Sequence, residues 1–263
     1  MSDSQSSQGA DPNVRQSPAV AATGGDTDTI LQTENLTKRF GGFTAIDDVD
    51  FAISEGELRC LIGPNGAGKS TLLTLITGRH DPTEGNIYYD GHDVTAAEPH
   101  ERVDYGIGMK FQVPSVFEDL TAFENMRLPL QRLDLDQPLS QAVYDALDRV
   151  DLADRAETEA SELSHGQQQR LEIGMAAALE PELLLLDEPV AGLSPEERSD
   201  IAELVTELND DGIAFIVIEH DIDFVDRIAH EVTVLHQGAV FTEGSIGEIR
   251  DNDEVRRIYL GGA

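Results

Sequence analysis

The chain has 263 residues, 40% of them hydrophobic, which suits one large globular domain or a core carrying a small inserted one. Its 51 Asp and Glu against 18 Lys and Arg leave a formal charge of −33, a surface that argues against direct binding of nucleic acid or anionic lipid. No apolar run approaches the ~20 residues that span a bilayer, and a single cysteine, Cys60, rules out an internal disulfide, as expected in a reducing cytoplasm.

Taken in chain order, residues 1–29 are polar, aperiodic and rich in Ser, Gly and Pro, and they lack the basic start and apolar core of a secretory signal. They read as a disordered tail. Residues 30–60 (TILQTENLTKRF, AIDDVDFAISEGELRC) read as antiparallel strands, the last strand-like run being Leu58–Ile62, with Cys60 as a small buried strand residue. Next comes Gly63-Pro-Asn-Gly-Ala-Gly-Lys-Ser70, which fits G-x-x-x-x-G-K-[ST] and opens a helical run. Glycines let the backbone N–H groups turn toward a phosphate, and the helix start adds favourable partial charge. Lys69 supplies a point charge to the β- and γ-phosphates, and the Ser70 hydroxyl suits Mg2+.

GNIYYDGHDV reads as a further hairpin, and GIGMKFQ as a strand ending at Gln112. Pro114 breaks the pattern, and from about residue 114 to 162 the apolar spacing turns helical, as with Val143, Ala146, Leu147 and Val150. This predicts a small inserted helical subdomain. LSHGQ then puts Ser164 and Gly166 ahead of a helix, the start of a second anion site with no lysine to complete it. An ordinary Ser N-cap explains Ser164 but gives no use for HGQ.

PELLLLDEPVAGLS sets four leucines before Asp187 and Glu188. A run apolar on both faces predicts a central parallel strand that carries acids to the sheet edge where ligands bind. There Asp187 is placed to hold Mg2+ through water, and Glu188 to orient or deprotonate an attacking water. Taken alone, the pair is equally a helix cap or a solvated face. IAFIVIEHD repeats the arrangement and ends at His220, whose position favours a γ-phosphate contact over a structural role. VTVLHQGAVFTEGS returns to strands, and IGEIRDNDEVRRIYLGG closes the chain as a short helical segment, with no internal repeat.

With these motifs laid out, the chain resembles the ATP-binding cassette ATPases over about residues 30–263. Gly63–Ser70 matches the phosphate loop, Gln112 the glutamine loop, LSHGQ the family signature, Asp187–Glu188 the second acidic motif, AGLS the D-loop and His220 the switch histidine. His165 stands where the commoner signature, LSGGQ, has a glycine. The resemblance implies an α/β fold: a P-loop NTPase (RecA-like) core with an antiparallel β subdomain and an inserted α-helical subdomain. ATP and Mg2+ are the implied cofactors. Phe40 would stack on adenine, and Gly63, Pro64, Asn65, Gly66, Ala67, Gly68, Lys69, Ser70 and Thr71 would surround the phosphates. Ser70, Gln112 and Asp187 would serve the metal, and Glu188, His220 and Gln112 hydrolysis. Cassettes of this family pair head to tail, so Ser164, Gly166 and Gln167 would close over ATP held by a second cassette, identical or related.

One cassette without a membrane span implies separate permease subunits, an extracytoplasmic solute-binding protein acting through them, and a place on the inner face of the cell membrane. Val113, Val116, Phe117 and Phe123 are candidates for core packing or for a groove that receives a permease helix. Several stretches, the IYLGG ending among them, look most like importer subunits for branched-chain amino acids, and especially like the first ATP-binding subunit of urea importers. The competing class is a soluble cassette ATPase, for instance in iron–sulfur assembly. A cassette that has lost activity fits least, since Lys69, Ser70, Gln112, Asp187, Glu188 and His220 are all present. The carboxylates are spread along the whole chain and lysine occurs only at 38, 69 and 110. Self-repulsion on that scale is tolerable where salt screens it, so a high-salt cytoplasm, as in a halophilic microbe, is expected.

Overall fold

The computed structural model of the chain describes residues 28–110 and 116–260. Gln112, Val113 and nearly all of the expected tail lie outside these residues, whereas Thr29, assigned above to the tail, opens the first strand. Strands β1 (Thr29–Phe40), β2 (Phe43–Ser54), β4 (Glu84–Tyr89) and β5 (His92–Asp93) form an antiparallel sheet in the order β2-β1-β4-β5. A second sheet runs β10-β9-β3-β8-β7-β6, from β3 (Leu58–Ile62), β6 (Ile107–Lys110), β7 (Leu183–Asp187), β8 (Ala214–Ile218), β9 (Glu231–His236) and β10 (Ala239–Gly244). Only β10 is antiparallel in it.

The strand before the phosphate loop therefore corrects the sequence reading. Leu58–Ile62 is no continuation of the antiparallel sheet but pairs in parallel with β8 and β9. Its five residues are all buried, which a strand covered on both faces requires. β7 and β8 are likewise buried throughout, and their side chains alternate between two cores. Leu184, Leu186, Phe215 and Val217 face the helices, whereas Leu183, Leu185, Ile216 and Ile218 face the antiparallel sheet.

Between β3 and β6 lie α1 (Lys69–Ile76) and α2 (Pro99–Asp104), the latter not anticipated. The helical insertion holds α3 (Ala122–Leu130) and α4 (Leu139–Arg149), and α5 (His165–Ala177) packs against both. Val143, Leu147 and Val150 are buried there, as their spacing predicted. Helix α6 (Pro195–Asp210) precedes β8, and α7 (Ile222–Ile228) follows it. The closing segment is two helices, α8 (Ile246–Asp251) and α9 (Asp253–Leu260). Asn252 parts them because its Oδ1 accepts the amides of Glu254 (2.9 Å) and Val255 (3.2 Å). No helix of the described residues is long and apolar enough to cross a membrane.

Candidate functional site

Adjacent parallel strands bring three loops to one edge of the larger sheet. β3 runs into the glycine loop, β7 ends at Asp187, and β8, paired between them, leads to His220. Such an edge, where successive connections leave in opposite directions, is where open α/β sheets take ligands.

In the glycine loop, Gly66 and Gly68 have φ of +79° and +109°. A Cβ on Gly68 would lie 2.6 Å from the Ala45 carbonyl oxygen and 2.8 Å from Ile46 Cδ1, so only glycine seats this loop against β2. Lys69 is buried and folds back over the loop: its Nζ donates to the carbonyls of Gly63 (2.8 Å) and Pro64 (3.2 Å). Burial lowers its pKa, against the charges of Glu188 and Asp187, which raise it. Ala67 closes the turn by donating to Pro64 (3.1 Å) and accepting from Gly238 (2.9 Å). Asn65 is exposed, and Thr71 follows in the first turn of α1.

Asp187 is buried, and burial foremost raises its pKa, with Glu188 adding to the effect. The Ser70 hydroxyl, hydrogen-bonded to Asp187, opposes that shift, as do the charges of Lys110 and Lys69. Hydroxyl and carboxylate side by side are the hard oxygen donors that Mg2+ takes. Among the described residues no group of three or more His, Cys, Asp or Glu is placed to hold a metal ion. Glu188 stands in the left-handed region at φ +50°, a conformation that costs a non-glycine residue about 1–2 kcal/mol. Its amide is tied to the Ile218 carbonyl (3.0 Å), and its Oε1 is 3.2 Å from His220 Nε2.

The signature forms a second cluster. Ser164 caps α5, accepting from the Gln167 amide (3.2 Å), while Gln167 Oε1 accepts the Ser164 amide (3.0 Å). The Gln167 side chain, expected at nucleotide, is thus engaged in a capping box. Gly166 N–H donates to Glu197 Oε1 (3.2 Å), to which the Ser164 hydroxyl also donates (3.4 Å). His165 Nε2 lies 3.2 Å from the Ala191 carbonyl. The hydrogen bonds these residues make beyond their own helix run to Ala191 and Glu197, so within one chain the signature donors serve a carboxylate.

Phe40 ends β1 at the tip of a hairpin whose other strand touches Gly68 through Ala45 and Ile46. Its ring is 43% exposed, has Lys38 Nζ 5.0 Å from its centroid, and meets His80 edge-on at 5.4 Å. On the helical insertion, buried Asn125 bonds the Phe117 amide and the carbonyls of Phe117, Leu120 and Thr121. The Phe117 ring is 56% exposed. Phe123 is partly buried and pairs with exposed Tyr144 at 5.3 Å, and Val116 packs on the core.

The sequence reading passed over Glu197, Lys110 and Glu219. Lys110 is buried 3.5 Å from Glu172, and Glu219 is buried at the end of β8. Charged residues inside apolar strands, Lys110 in GIGMKF and Glu219 in IAFIVIEH, were the available signals.

Residues 46–191 match the ABC transporter family. A probable branched-chain amino acid transport ATP-binding protein of Methanocaldococcus jannaschii is 35% identical over 90% of this chain and 99% of its own. A high-affinity branched-chain amino acid transport ATP-binding protein of Pseudomonas aeruginosa is 34% identical over 89% and 98%. Among solved structures, the ADP conformation of an ATP-binding cassette of an ABC transporter superposes with a TM-score of 0.80 at 35% identity, covering 89% of this chain and 99% of its own. A dimeric bacterial ABC transporter cassette gives 0.74 at 31% identity, covering 82% and 99%.

Proposed function

The chain belongs to the ABC transporter family and is an ATPase of it, and on that ground we propose that it energises uptake of a branched-chain amino acid or a related small amide such as urea. The observation that carries the mechanism is the meeting of Lys69, Ser70, Asp187, Glu188 and His220 at one sheet edge, while Ser164 and Gly166 stand apart at Glu197. The first group holds and hydrolyses a nucleotide. The second is half of another chain's site.

Phe40 offers an exposed ring for adenine. Lys69 exchanges its bonds to Gly63 and Pro64 for β- and γ-phosphate oxygens, while the amides of Gly66, Gly68 and neighbouring residues line the phosphates. Ser70 and Asp187, with Gln112, would hold Mg2+, which when bound neutralises phosphate charge. Glu188, kept in position by its bond to Ile218, orients and deprotonates the attacking water, and His220 braces Glu188 and meets the γ-phosphate.

Two cassettes close head to tail, identical or related, each adding Ser164 and Gly166 to the other's ATP. Separate permease subunits, fed by an extracytoplasmic solute-binding protein, dock on the surface around Phe117, which places the chain on the inner face of the membrane. The two branched-chain amino acid transport relatives support the solute class. Urea rests on the likeness of the phosphate-loop, signature and C-terminal stretches.

Uptake of labelled leucine and labelled urea by cells carrying wild-type or Glu188→Gln chain, in high salt, tests the reading. Loss of one uptake names the solute. Retention of both argues against the importer and turns attention to what the chain co-purifies with.

A further inference from the structure

Glu219 lies one residue before His220, outside the reacting groups, yet the residue is only 3% exposed and both its carboxylate oxygens accept backbone amides. Oε1 accepts the Val190 amide at 3.0 Å. Oε2 accepts the His220 amide at 3.0 Å and the Asp221 amide at 3.5 Å. Val190 belongs to the turn that follows Glu188, and His220 and Asp221 begin the turn that follows β8. One side chain thus joins the two loops whose facing members, Glu188 and His220, meet at 3.2 Å. The same Val190 turn carries Ala191, whose carbonyl faces His165 of the signature.

We propose that Glu219 is a positioning residue for hydrolysis: it clamps the turn after Glu188 to the His220 backbone, so that water-activating carboxylate and imidazole move as one unit. The inference rests on the reading of Glu188 and His220 as the hydrolytic pair. Only an acceptor on both oxygens satisfies the arrangement. A glutamine keeps one accepting oxygen but turns an NH2 toward either Val190 N–H or the His220–Asp221 amides, donor against donor. An aspartate is one methylene too short to span both turns. The phosphate loop is independent of this clamp, since Gly63–Lys69 are held by their own carbonyls, by β2 and by Gly238. Loosening the clamp therefore misplaces the reacting pair without loosening nucleotide.

The test is steady-state ATPase kinetics of Glu219→Gln beside Glu188→Gln, His220→Ala and the Glu219→Gln/His220→Ala double variant, with ATP affinity and melting temperature for each. The clamp predicts a kcat for Glu219→Gln lower by about ten- to a hundredfold, the size of effect that small misplacement brings. It also predicts unchanged ATP affinity, and a double variant little slower than His220→Ala alone. A wild-type kcat overturns the proposal, and so does a fall in kcat, affinity and melting temperature together, which marks a general fold defect. Full activity in both Glu188→Gln and His220→Ala overturns the underlying reading of the pair instead. Should Glu219→Gln fail to fold, amide hydrogen exchange on the wild-type chain decides. The clamp predicts that the His220 amide, at an exposed residue, is protected and opens together with that of Val190; rapid, separate exchange of His220 rejects it.

Discussion

Glu197 carries a negative charge at the place where a partner cassette's γ-phosphate is proposed to arrive. Its pKa is lowered first by the Ser194 amide and hydroxyl and then by Gly166 and Ser164, so its bonds are present at neutral pH and lost as pH falls through its folded-state value, below the usual carboxylate range. In the single chain this carboxylate satisfies the Gly166 amide, which would otherwise wait on solvent. When two chains close over ATP, two anions compete for one helix start, and the carboxylate has to yield. Replacing Glu197 by Gln removes the charge and keeps an acceptor. In a Glu188→Gln background, chosen so that ATP stays intact, the ATP-dependent dimer of this chain is expected to tighten by about three- to thirtyfold, the size of one charge at each of its two signature helix termini. Sedimentation equilibrium with ATP measures this, and equal or weaker association than the parent speaks against the competition.

At the scale of elements, the phosphate-loop helix depends on a residue far from the phosphates. Arg102 of α2 is 1% exposed and donates to the carbonyls of Leu75 (2.6 Å) and Ile76 (2.7 Å) at the C-terminal end of α1. It also donates to Thr95 and Ala97 (3.1 Å each). A cation at a helix C-terminus is favourable, and Arg102 supplies a bond to the Ile76, Thr95 and Ala97 carbonyls as well as to that of Leu75, which also accepts the Gly78 amide (3.1 Å). Arg102→Leu should therefore cost about 2–3 kcal/mol in urea unfolding, while the ATP contacts of the folded fraction survive. A variant as stable as wild type would mean that water replaces the guanidinium.

The same helix shows what the sequence reveals and what it hides. The glycine loop and the strands β7 and β8 are local patterns of glycine spacing and apolar run, and helices α3 and α4 follow the apolar period of their stretch. Arg102 sits in EPHERVDYG, where nothing local marks it, because partners of its guanidinium come from a helix 26 residues earlier. Glu219 stands out in sequence as a charge at the end of an apolar run, but its partner does not: it accepts an amide 29 residues away, as Glu197 accepts one 31 residues away. β3 joins the parallel sheet although it follows antiparallel strands in the chain, because a short strand-like run, here LRCLI with Arg59 inside it, does not state whether its neighbours are parallel. On the helical insertion, Asn125 fixes the backbone that presents the Phe117 ring to solvent. Phe117→Ala is thus expected to leave basal ATPase activity unchanged and to abolish uptake in cells. Intact uptake would assign the ring to the surface alone.

For the molecule as a whole, charge outweighs any single bond. The formal charge is −33, and several of the arginines already bridge two acids, as Arg170 does with Asp151 and Asp200 and Arg250 with Asp223 and Asp226. Cations are too few to pair with the remaining carboxylates, so relief has to come from solvent ions. The screening length is about 10 Å at 0.1 M salt and about 3 Å at 1 M, which removes most repulsion between surface acids. The melting temperature should accordingly climb as KCl is raised from dilute buffer to molar concentration. A neutral osmolyte at equal osmolality should give a smaller rise, and equal stability across the salt series would sink the idea. Repulsion weighs more heavily still on pairing. In the proposed dimer, two identical copies, each at −33 before ATP adds its phosphates, would have to approach within contact. Association steered by opposite charges weakens with salt; here ATP-dependent dimerisation of the Glu188→Gln chain should strengthen with it. A dissociation constant that rises with KCl would show that attraction at the signature outweighs the repulsion of the two surfaces.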